Sequence, residues 1–320
     1  MARASSTGMV IRAGIMRILI IGASGFIGHY LLRRLRQNSD YEVTSTYSSR
    51  EPQDIIHSWY RLEITDHQRL DQVFLQARPD VVVLLAAIAD VGTVERAPAR
   101  ATEVNVEGTA QVARLCTQHQ ASLVFLSSEY VFSGDRGNYR EDDAPGPNTH
   151  YGRTKWQAEL AVAREASQWS IVRTSLVYGW PIIGRRNVAS NIIDRLKKDE
   201  TFVGNTNSYR TPIYVEHLTE GILELVTNYH PGVCHIAGAD WINMYQFARA
   251  VSEASDLDSS LVTPGQALAD VPFKTDSSED LEQDRRPDIL GLDCTQTNRR
   301  LGLRAFNVVT GLQEMLASVV

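Results

Sequence analysis

The chain has 320 residues, of which 43% are hydrophobic and 22% charged, so it can bury a large core. Its formal net charge of −6 provides no basic surface of the kind that binds nucleic acid. No apolar run approaches the roughly 20 residues of a membrane span, and residues 1–15 lack the apolar core of a signal peptide. We therefore expect a cytoplasmic globular protein that binds neither nucleic acid nor membrane, preceded by a disordered leader over residues 1–15.

Metal-binding patterns are not evident in the sequence. Cys116, Cys234 and Cys294 lie far apart, and the eight histidines contain no H-E-x-x-H pair. We expect no catalytic metal.

A glycine-rich turn follows the first predicted strand, residues 17–21, and precedes an amphipathic helix. Gly22 permits a tight turn, Gly25 lets the backbone approach a pyrophosphate, and Gly28 lets the helix press against the strand. The helix N-terminus would offer unpaired N–H groups and its positive dipole end to a phosphate. This strand–turn–helix context favours a dinucleotide site over a turn that merely contains three glycines.

The second predicted strand, residues 42–47, ends in Ser48, Ser49 and Arg50. An Asp or Glu at this place takes the ribose hydroxyls of NAD, whereas small polar residues with an Arg suit a 2′-phosphate. We therefore expect NADP(H) as the preferred cofactor, with NAD(H) as the other option. Alternatively, Arg50 only begins a solvated loop, since Glu51 follows it.

Strands and helices continue to alternate as far as residue 178, which predicts an α/β fold with a doubly wound parallel (Rossmann) sheet. The ligand crevice of such a sheet lies outside the carboxyl ends of its strands. The further strands are predicted over 59–66, 79–87 and 122–128, and the further helices over 67–77, with Asp66 as its cap, over 104–119, and from residue 150.

The alternation breaks after the NAD(P)-binding Rossmann domain, which we place at residues 16–178. Residues 179–320 are predicted to form a smaller mixed α/β lobe that binds substrate and is interleaved with the last strands of the sheet. Its predicted helices cover 187–198, 216–228, 243–256 and 308–319, with a short strand at 233–237 and a solvated acidic loop at 258–284.

Tyr151 and Lys155 are four residues apart, so they share one face of a helix. A free phenol has a pKa of about 10, and an adjacent ammonium favours the phenolate, which lowers that pKa and suits acid catalysis. Ser128, at the end of the strand 122–128, would hold the substrate oxygen. The Y-x-x-x-K spacing often occurs by chance, but here it falls at the same rim of the predicted sheet as the glycine turn and the serine.

This combination resembles the extended short-chain dehydrogenase/reductase family over almost the whole chain from Met16. Within that family, five segments look like the dTDP-4-dehydrorhamnose reductases and also resemble their relative, the regulatory beta subunit of methionine adenosyltransferase. The segments are 127–134, 139–143, 151–155, 173–179 and 286–293.

The resemblance implies Ser128, Tyr151 and Lys155 as catalytic residues, with Lys155 also bonding the nicotinamide ribose. Asn105 matches an asparagine that usually supports the site. The expected cofactor residues are Gly22, Ser24, Gly25, Phe26, Ile27 and Gly28 at the pyrophosphate, Ser48 and Arg50 at the 2′-phosphate, Glu63 and Ile64 at the adenine, Ala86 and Ala87 along the ribose, and Asn105, Tyr151 and Lys155.

The expected substrate residues are Glu129, Tyr130, Arg210 and Arg286. The segment around Arg210 looks more like that of nucleotide-sugar epimerases and dehydratases, in which this arginine and one matching Arg286 clamp the substrate diphosphate. Alternatively, Arg210 forms a surface ion pair with a nearby acid. Leu176 replaces the tryptophan that the reductases usually place against the sugar, which leaves the sugar open.

We therefore expect an NADPH-dependent reductase of a nucleotide-linked 4-keto-6-deoxysugar, with Tyr151 as proton donor. One alternative is an epimerase or dehydratase with tightly held NAD, in which Glu129 would be the extra acid or base. The other is a non-catalytic NADP-binding regulatory subunit. A homodimer is a family expectation only.

Overall fold

The computed structural model describes residues 15–49, 51–52, 58–181, 187–266 and 287–318. Within these ranges a parallel sheet of seven strands carries helices on both faces, and smaller two-stranded pairings lie beside it. The predicted Rossmann-like α/β architecture is confirmed.

Three predictions concern residues that lie outside the described ranges. They are the leader before Ile15, the candidate 2′-phosphate residue Arg50 and the candidate diphosphate residue Arg286.

Strands and helices alternate through the first half of the chain, as predicted. The strands are β1 (Met16–Ile21), β2 (Tyr41–Tyr47), β3 (Ser58–Arg61), β4 (Val81–Leu84), β5 (Ser122–Ser128), β6 (Trp169–Thr174), β7 (Val177–Tyr178), β8 (Phe202–Asn205), β9 (Tyr209–Arg210), β10 (Ile213–Tyr214), β11 (Gly232–His235), β12 (Ile242–Asn243) and β13 (Val262–Gly265). The helices are α1 (Phe26–Leu35), α2 (His67–Ala77), α3 (Val91–Arg96), α4 (Pro98–Thr102), α5 (Thr109–Gln118), α6 (His150–Glu165), α7 (Val188–Leu196), α8 (Val215–Thr227), α9 (Met244–Ala254), α10 (Thr295–Leu301) and α11 (Val308–Ala317).

The central sheet has the order β11-β6-β5-β4-β1-β2-β3, and all its neighbouring strands run parallel. The chain order reverses at β1, which pairs with β2 on one side and with β4 on the other. A ligand crevice opens where the order reverses, outside the carboxyl ends of the strands.

Both faces of β1 are buried, which explains its continuous apolar sequence. Ile18 and Ile20 pack into one core with α1 and α8, whereas Leu19 and Ile21 pack into another with α2, α5 and α6. The two cores hold the carboxyl end of β1, and with it the glycine turn, between the helical layers.

Two predicted elements of the Rossmann half have different bounds in the structure. The third strand ends at Arg61 rather than at residue 66, because the chain turns there and Asp66 N donates to Glu63 O. Asp66 caps α2 as expected, accepting from Arg69 N at 3.0 Å. The helix predicted over 104–119 begins instead as a π-helical segment, Glu103–Gly108, that leads into α5.

The second half contributes one strand to the central sheet and a separate core. β11 is the edge strand beside β6. Helices α7, α9 and α11 pack around a third cluster that includes Phe202 and Phe247. Part of the predicted loop 258–284 is ordered structure, since β13 pairs in parallel with β8 and its Val262 is buried in this cluster. Residues 267–284 of that loop lie outside the described ranges.

None of the helices in the described part of the chain combines the length and apolar character needed to cross a membrane.

Candidate active site

The glycine turn after β1 brings the chain against the residues that follow β4. Gly22 has a φ of +93°, and a Cβ at this position would lie 2.7 Å from the backbone nitrogen of Ala86. Its N–H donates to Thr46 Oγ1 at the end of β2, at 3.0 Å. Only glycine meets both demands, the left-handed backbone and the close approach to β4.

Helix α1 begins at this turn without a side-chain cap among the described residues. Its capping residue, Gly25, is extended and makes no side-chain hydrogen bond, and its first turn contains no acidic residue. Gly28 packs directly on the turn, where an added Cβ would lie 2.6 Å from Gly22 O. The N-terminus of α1 therefore presents backbone N–H groups and a positive dipole end, which suit a phosphate.

A cavity of about 280 Å³ opens beside this turn, outside the carboxyl ends of β1, β2 and β4. Its walls combine the glycine turn with residues from the ends of β2, β3 and β4, an arrangement that fits an extended dinucleotide. The predicted cofactor residues in its lining are Gly22, Ser24, Gly25, Phe26, Ser48, Glu63, Ile64, Ala86 and Ala87. The predicted residues outside its lining are Ile27, Gly28, Asn105, Tyr151 and Lys155.

Ser128, Tyr151 and Lys155 meet beside β5, the neighbour of β4. Ser128 ends β5, and the other two lie in the first turns of α6. Helix α6 starts where it does because Thr149 caps it, accepting from Gly152 N at 3.0 Å. The three predicted catalytic side chains are all buried at this strand end.

The nearby Ser128 hydroxyl lowers the pKa of the Tyr151 phenol, but burial has the larger effect and raises that pKa to about 12. The net shift is thus upward, against the direction that we expected from a neighbouring ammonium. A phenol with this pKa keeps its proton at neutral pH and is available as an acid.

The Lys155 ammonium binds β5 rather than the phenol. Nζ donates to Leu126 O at 2.6 Å and lies 4.2 Å from the centre of the Phe125 ring. Burial lowers the pKa of Lys155 to about 7, and the nearby Glu159 opposes that shift.

Asn105 connects the cavity to the catalytic helix. Its side-chain amide binds the backbone of Ile88, which lines the cavity: Oδ1 accepts from Ile88 N at 2.8 Å and Nδ2 donates to Ile88 O at 3.0 Å. Nδ2 also donates to Thr154 Oγ1 at 3.1 Å, between Tyr151 and Lys155 in sequence. Asn105 therefore bonds the cavity lining and α6 together, and the supporting role that the resemblance implies stays a prediction.

Glu129 and Arg210 form a buried ion pair next to the catalytic serine. Nε of Arg210 lies 3.4 Å from Oε1 of Glu129, and the side chains are only 9% and 3% exposed, respectively. The remaining guanidinium nitrogens donate to backbone carbonyls of Tyr209, Pro287 and Asp288 at 2.7–2.9 Å. Burial raises the pKa of Glu129 to about 7, and Arg210 opposes this shift.

These contacts do not support either interpretation of Arg210 from the sequence. The guanidinium faces the protein, so it is not presented to a diphosphate, and its partner is buried, so the pair is not on the surface. The sequence placed Glu129 and Arg210 separately against the substrate, whereas the structure makes them partners of each other.

Tyr130 lies between this ion pair and the catalytic tyrosine. Its ring meets the Tyr151 ring edge-on with centres 5.4 Å apart, and the Arg210 guanidinium carbon lies 5.8 Å from its centre. Such aromatic and cation–π contacts restrain the half-buried Tyr130 ring beside the Tyr151 phenol.

The family model described as "RmlD substrate binding domain" matches residues 16–320. The chain belongs to this RmlD family. A dTDP-4-dehydrorhamnose reductase from Mycolicibacterium smegmatis is 30% identical over 255 residues, which cover 78% of this chain and 72% of that protein. The methionine adenosyltransferase 2 subunit beta of Bos taurus is 25% identical over 254 residues, 78% of this chain and 75% of that one.

Among solved structures, a dTDP-4-dehydrorhamnose reductase from Bacillus anthracis in complex with NADP superimposes with a TM-score of 0.81. The match covers 96% of this chain and 99% of that one at 24% identity, and so supports the fold. For this RmlD-family chain, the predicted family and the oxidoreductase class are confirmed. The NADP(H) preference, with NAD(H) as the other option, stays a prediction.

Arg100 was not predicted as a site residue, although it is the one cationic side chain among the described residues that line the cavity. Its guanidinium lies 3.6 Å from a Glu63 carboxylate oxygen and 2.8 Å from a Glu103 oxygen. Arg100 belongs to no motif, and its approach to the end of β3 depends on how α4 packs, so no local signal pointed to it. Thr46 was not predicted either, although it belongs to the predicted strand 42–47 and lies next to its last residue.

Proposed function

We propose that the protein is an NADPH-dependent reductase that acts on the keto group of a nucleotide-linked 4-keto-6-deoxysugar. The observation that carries this proposal is the placement of Ser128 and Tyr151, which are both buried at the end of β5, at the same edge of the sheet as the cavity. The similarity to a dTDP-4-dehydrorhamnose reductase supports the choice of substrate class.

NADPH would be held by the glycine turn and the α1 N-terminus at its pyrophosphate, and by Ser48, Glu63 and Ile64 around its adenosine. When bound, the cofactor supplies the hydride that the keto carbon accepts. The absence of an acidic residue from the described end of β2, at Ser48 and Ser49, supports NADPH over NADH.

Tyr151 donates a proton to the substrate oxygen as negative charge develops on it, so that the carbonyl becomes a hydroxyl. Ser128 donates a hydrogen bond to the same oxygen and stabilises that charge. Its Oγ accepts from Tyr130 N at 3.3 Å, which orients the hydroxyl for this task. The Lys155 ammonium stabilises the phenolate that Tyr151 becomes.

We assign cofactor binding to residues 16–178 and substrate binding mainly to residues 179–320. Tyr130 is an exception to this division, because it belongs to residues 16–178 and its ring stands beside Tyr151, where the sugar must lie to receive the proton. The buried pair of Glu129 and Arg210 would shape the wall behind Tyr130 rather than touch the diphosphate.

The test is the anaerobic decay of NADPH absorbance with dTDP-4-dehydro-6-deoxy-L-mannose, generated in situ. We expect turnover on the order of 1 per second or faster. Tyr151→Phe should lower it by about 10²–10⁴-fold without changing NADPH affinity. Tyr229→Phe, between α8 and β11, is the matched control and should keep full activity. No decay in a protein that binds NADPH would overturn the proposal.

A second candidate is a non-catalytic regulatory subunit that binds NADP, which the similarity to methionine adenosyltransferase 2 subunit beta favours. The same assay separates the two, because a purely regulatory protein binds NADPH without oxidising it in the presence of any keto-sugar nucleotide. The epimerase or dehydratase alternative, in which Glu129 would be the extra acid or base, stays a prediction. Arg210 pairs with Oε1 of Glu129, and Oε2 is buried without a hydrogen-bond partner among the described residues.

A further inference from the structure

Glu159 lies one helical turn after Lys155 on α6 and is buried between the helix and the sheet. Its carboxylate accepts from Ser127 Oγ at 2.5 Å. It also accepts from Arg173, from Nε at 3.0 Å and from Nη2 at 2.7 Å. This bidentate ion pair is only 2–3% exposed at its side chains, so water does not screen it.

The partners of Glu159 come from two adjacent strands that end at the active site. Ser127 on β5 stands directly opposite Arg173 on β6, and the next pair in register is Ser128 with Thr174. Glu159 therefore binds the two strands one residue before the catalytic serine. Arg173 is itself held, with its guanidinium carbon 5.0 Å from the centre of the Phe132 ring.

Two successive turns of α6 are thus attached to consecutive residues of β5. Lys155 Nζ binds the carbonyl of Leu126, and Glu159 binds the side chain of Ser127. Because Tyr151 lies one turn further towards the start of α6, these two attachments determine how far the phenol stands from Ser128.

Glu159 is also the carboxylate that acts on Lys155. Five other charged groups on the elements around α6 have partners of their own. Glu95 of α3 accepts from His150 N, Arg100 of α4 pairs with Glu63 and Glu103, Arg114 of α5 pairs with Glu165, Glu129 after β5 pairs with Arg210, and Arg173 of β6 pairs with Glu159 itself.

We propose that Glu159 is a positioning residue, which Arg173 and Ser127 hold in place. It fixes the register of α6 on β5, and it provides the negative charge that keeps Lys155 cationic. The inference rests on the proposed function in one respect, since it takes Tyr151 and Lys155 as the reacting pair.

The variant that tests this role must not leave a charge buried alone. Removing Glu159 by itself would strand the Arg173 guanidinium, which generally destabilises a fold strongly. The double variant Glu159→Gln/Arg173→Gln removes both charges and keeps amide groups that can hydrogen-bond. Arg249→Gln/Glu253→Gln, which removes an exposed ion pair on α9, is the matched control.

Loss of the Glu159 charge should lower the pKa of Lys155 further, since burial already lowers it to about 7 and Glu159 is the opposing group. The alkaline limb of kcat/KM should then move to lower pH, by about one unit, and kcat at pH 7.5 should fall about tenfold. The control pair should change neither. An alkaline limb that stays in place in the folded double variant would overturn the electrostatic part of the proposal.

The affinity for NADPH measured over the same pH range provides a readout without turnover, because Lys155 is expected to bond the cofactor ribose. If the wild-type protein reduces no keto-sugar nucleotide, the proposed function fails. The pH dependence of NADPH affinity then still tests Glu159, and an identical dependence in wild type and double variant would contradict its role.

Two milder variants test separately whether Glu159 fixes the register of α6 on β5. They also provide the test if the double variant does not fold. Ser127→Ala removes the hydrogen bond but keeps the charges, and Glu159→Asp keeps the charge but shortens the side chain. We expect each to lower kcat several-fold with the alkaline limb unmoved. Wild-type kcat in both would overturn the positioning role.

Discussion

The Arg210 guanidinium pairs with Oε1 of Glu129 and donates to three backbone carbonyls, whereas Oε2 of Glu129 is buried without a hydrogen-bond partner among the described residues. Glu129 directly follows the catalytic serine, and the carbonyls of Pro287 and Asp288 belong to the segment that leads into the bridge at Ile289. The pair therefore ties the end of β5 to a distant part of the chain.

Removing one partner of this ion pair should destabilise the fold strongly. Arg210→Met is expected to lower the free energy of unfolding by about 3–5 kcal/mol at pH 8, because it leaves an ionised Glu129 unpaired in the interior. Arg210 opposes the upward shift of the Glu129 pKa, so its removal raises that pKa above the value of about 7 in the intact pair. The loss should shrink at pH 5.5, where the carboxyl is protonated in both proteins. Urea unfolding at the two pH values measures both effects. Arg249→Met, which breaks an exposed pair, should cost at most about 1 kcal/mol, and equal losses in the two variants would contradict the prediction.

Comparing Gly22 with Gly302 separates the cost of backbone strain from the cost of steric crowding when alanine replaces glycine. Gly302, at the end of α10, has a φ of +67° and no atom within 4 Å of an added Cβ, so Gly302→Ala tests backbone strain alone. We expect it to cost about 1 kcal/mol of unfolding free energy and to leave NADPH affinity unchanged. Gly22→Ala has the same backbone strain and in addition a collision with Ala86. It should therefore lower the free energy of unfolding at least twice as much, and it should weaken NADPH binding about tenfold or more. Similar NADPH affinities for the two variants would argue against a cofactor role for the turn.

The pH dependence of kcat/KM should report Lys155 rather than Tyr151. The ammonium is present below its pKa of about 7 and is lost as the pH rises through that value, whereas Tyr151, with a pKa of about 12, stays protonated. We therefore expect kcat/KM to fall on the alkaline side from about pH 7. Lys155→Arg should move this limb several units higher while lowering the rate, since a guanidinium keeps its proton above pH 12. If the alkaline limb does not move in Lys155→Arg, a group other than Lys155 causes it.

Arg100 should influence which cofactor binds. In Arg100→Ala the carboxylates of Glu63 and Glu103 lose their counter-ion at the edge of the cavity, and they would repel the 2′-phosphate. We expect NADPH affinity to fall about fivefold, roughly 1 kcal/mol, and NADH affinity to fall less. Fluorescence titration with both cofactors measures the difference. Arg96→Ala, an exposed arginine outside the cavity lining, is the control, and parallel losses for NADPH and NADH would contradict the prediction.

Features that a short stretch of sequence specifies were predictable. The turn at Gly22, the cap at Asp66 and the fully apolar β4 each follow from neighbouring residues, and the structure has all three. The same holds for Tyr151 and Lys155, since their helix begins at a local cap. The direction of the Tyr151 pKa shift was not predictable, because it depends on how deeply the assembled sheet buries the phenol.

Features that depend on distant contacts could not be predicted. Glu129 finds Arg210 only after β9 has been placed beside the central sheet, and Arg100 reaches Glu63 only through the packing of α4. The π-helical segment has a similar origin, since its Asn105 bonds the backbone after β4 as well as Thr154 on α6.

The residues around the adenosine end of the cavity lie after β2 and β3, on the far side of β1 from the catalytic serine on β5. If the proposed function holds, cofactor selection and proton chemistry are separate modules of one sheet, and an engineer could exchange NADPH for NADH without rebuilding the acid. Asn105 links the middle of the cavity to α6, because it bonds Ile88 after β4 as well as Thr154. Substitutions there should change cofactor affinity and turnover together.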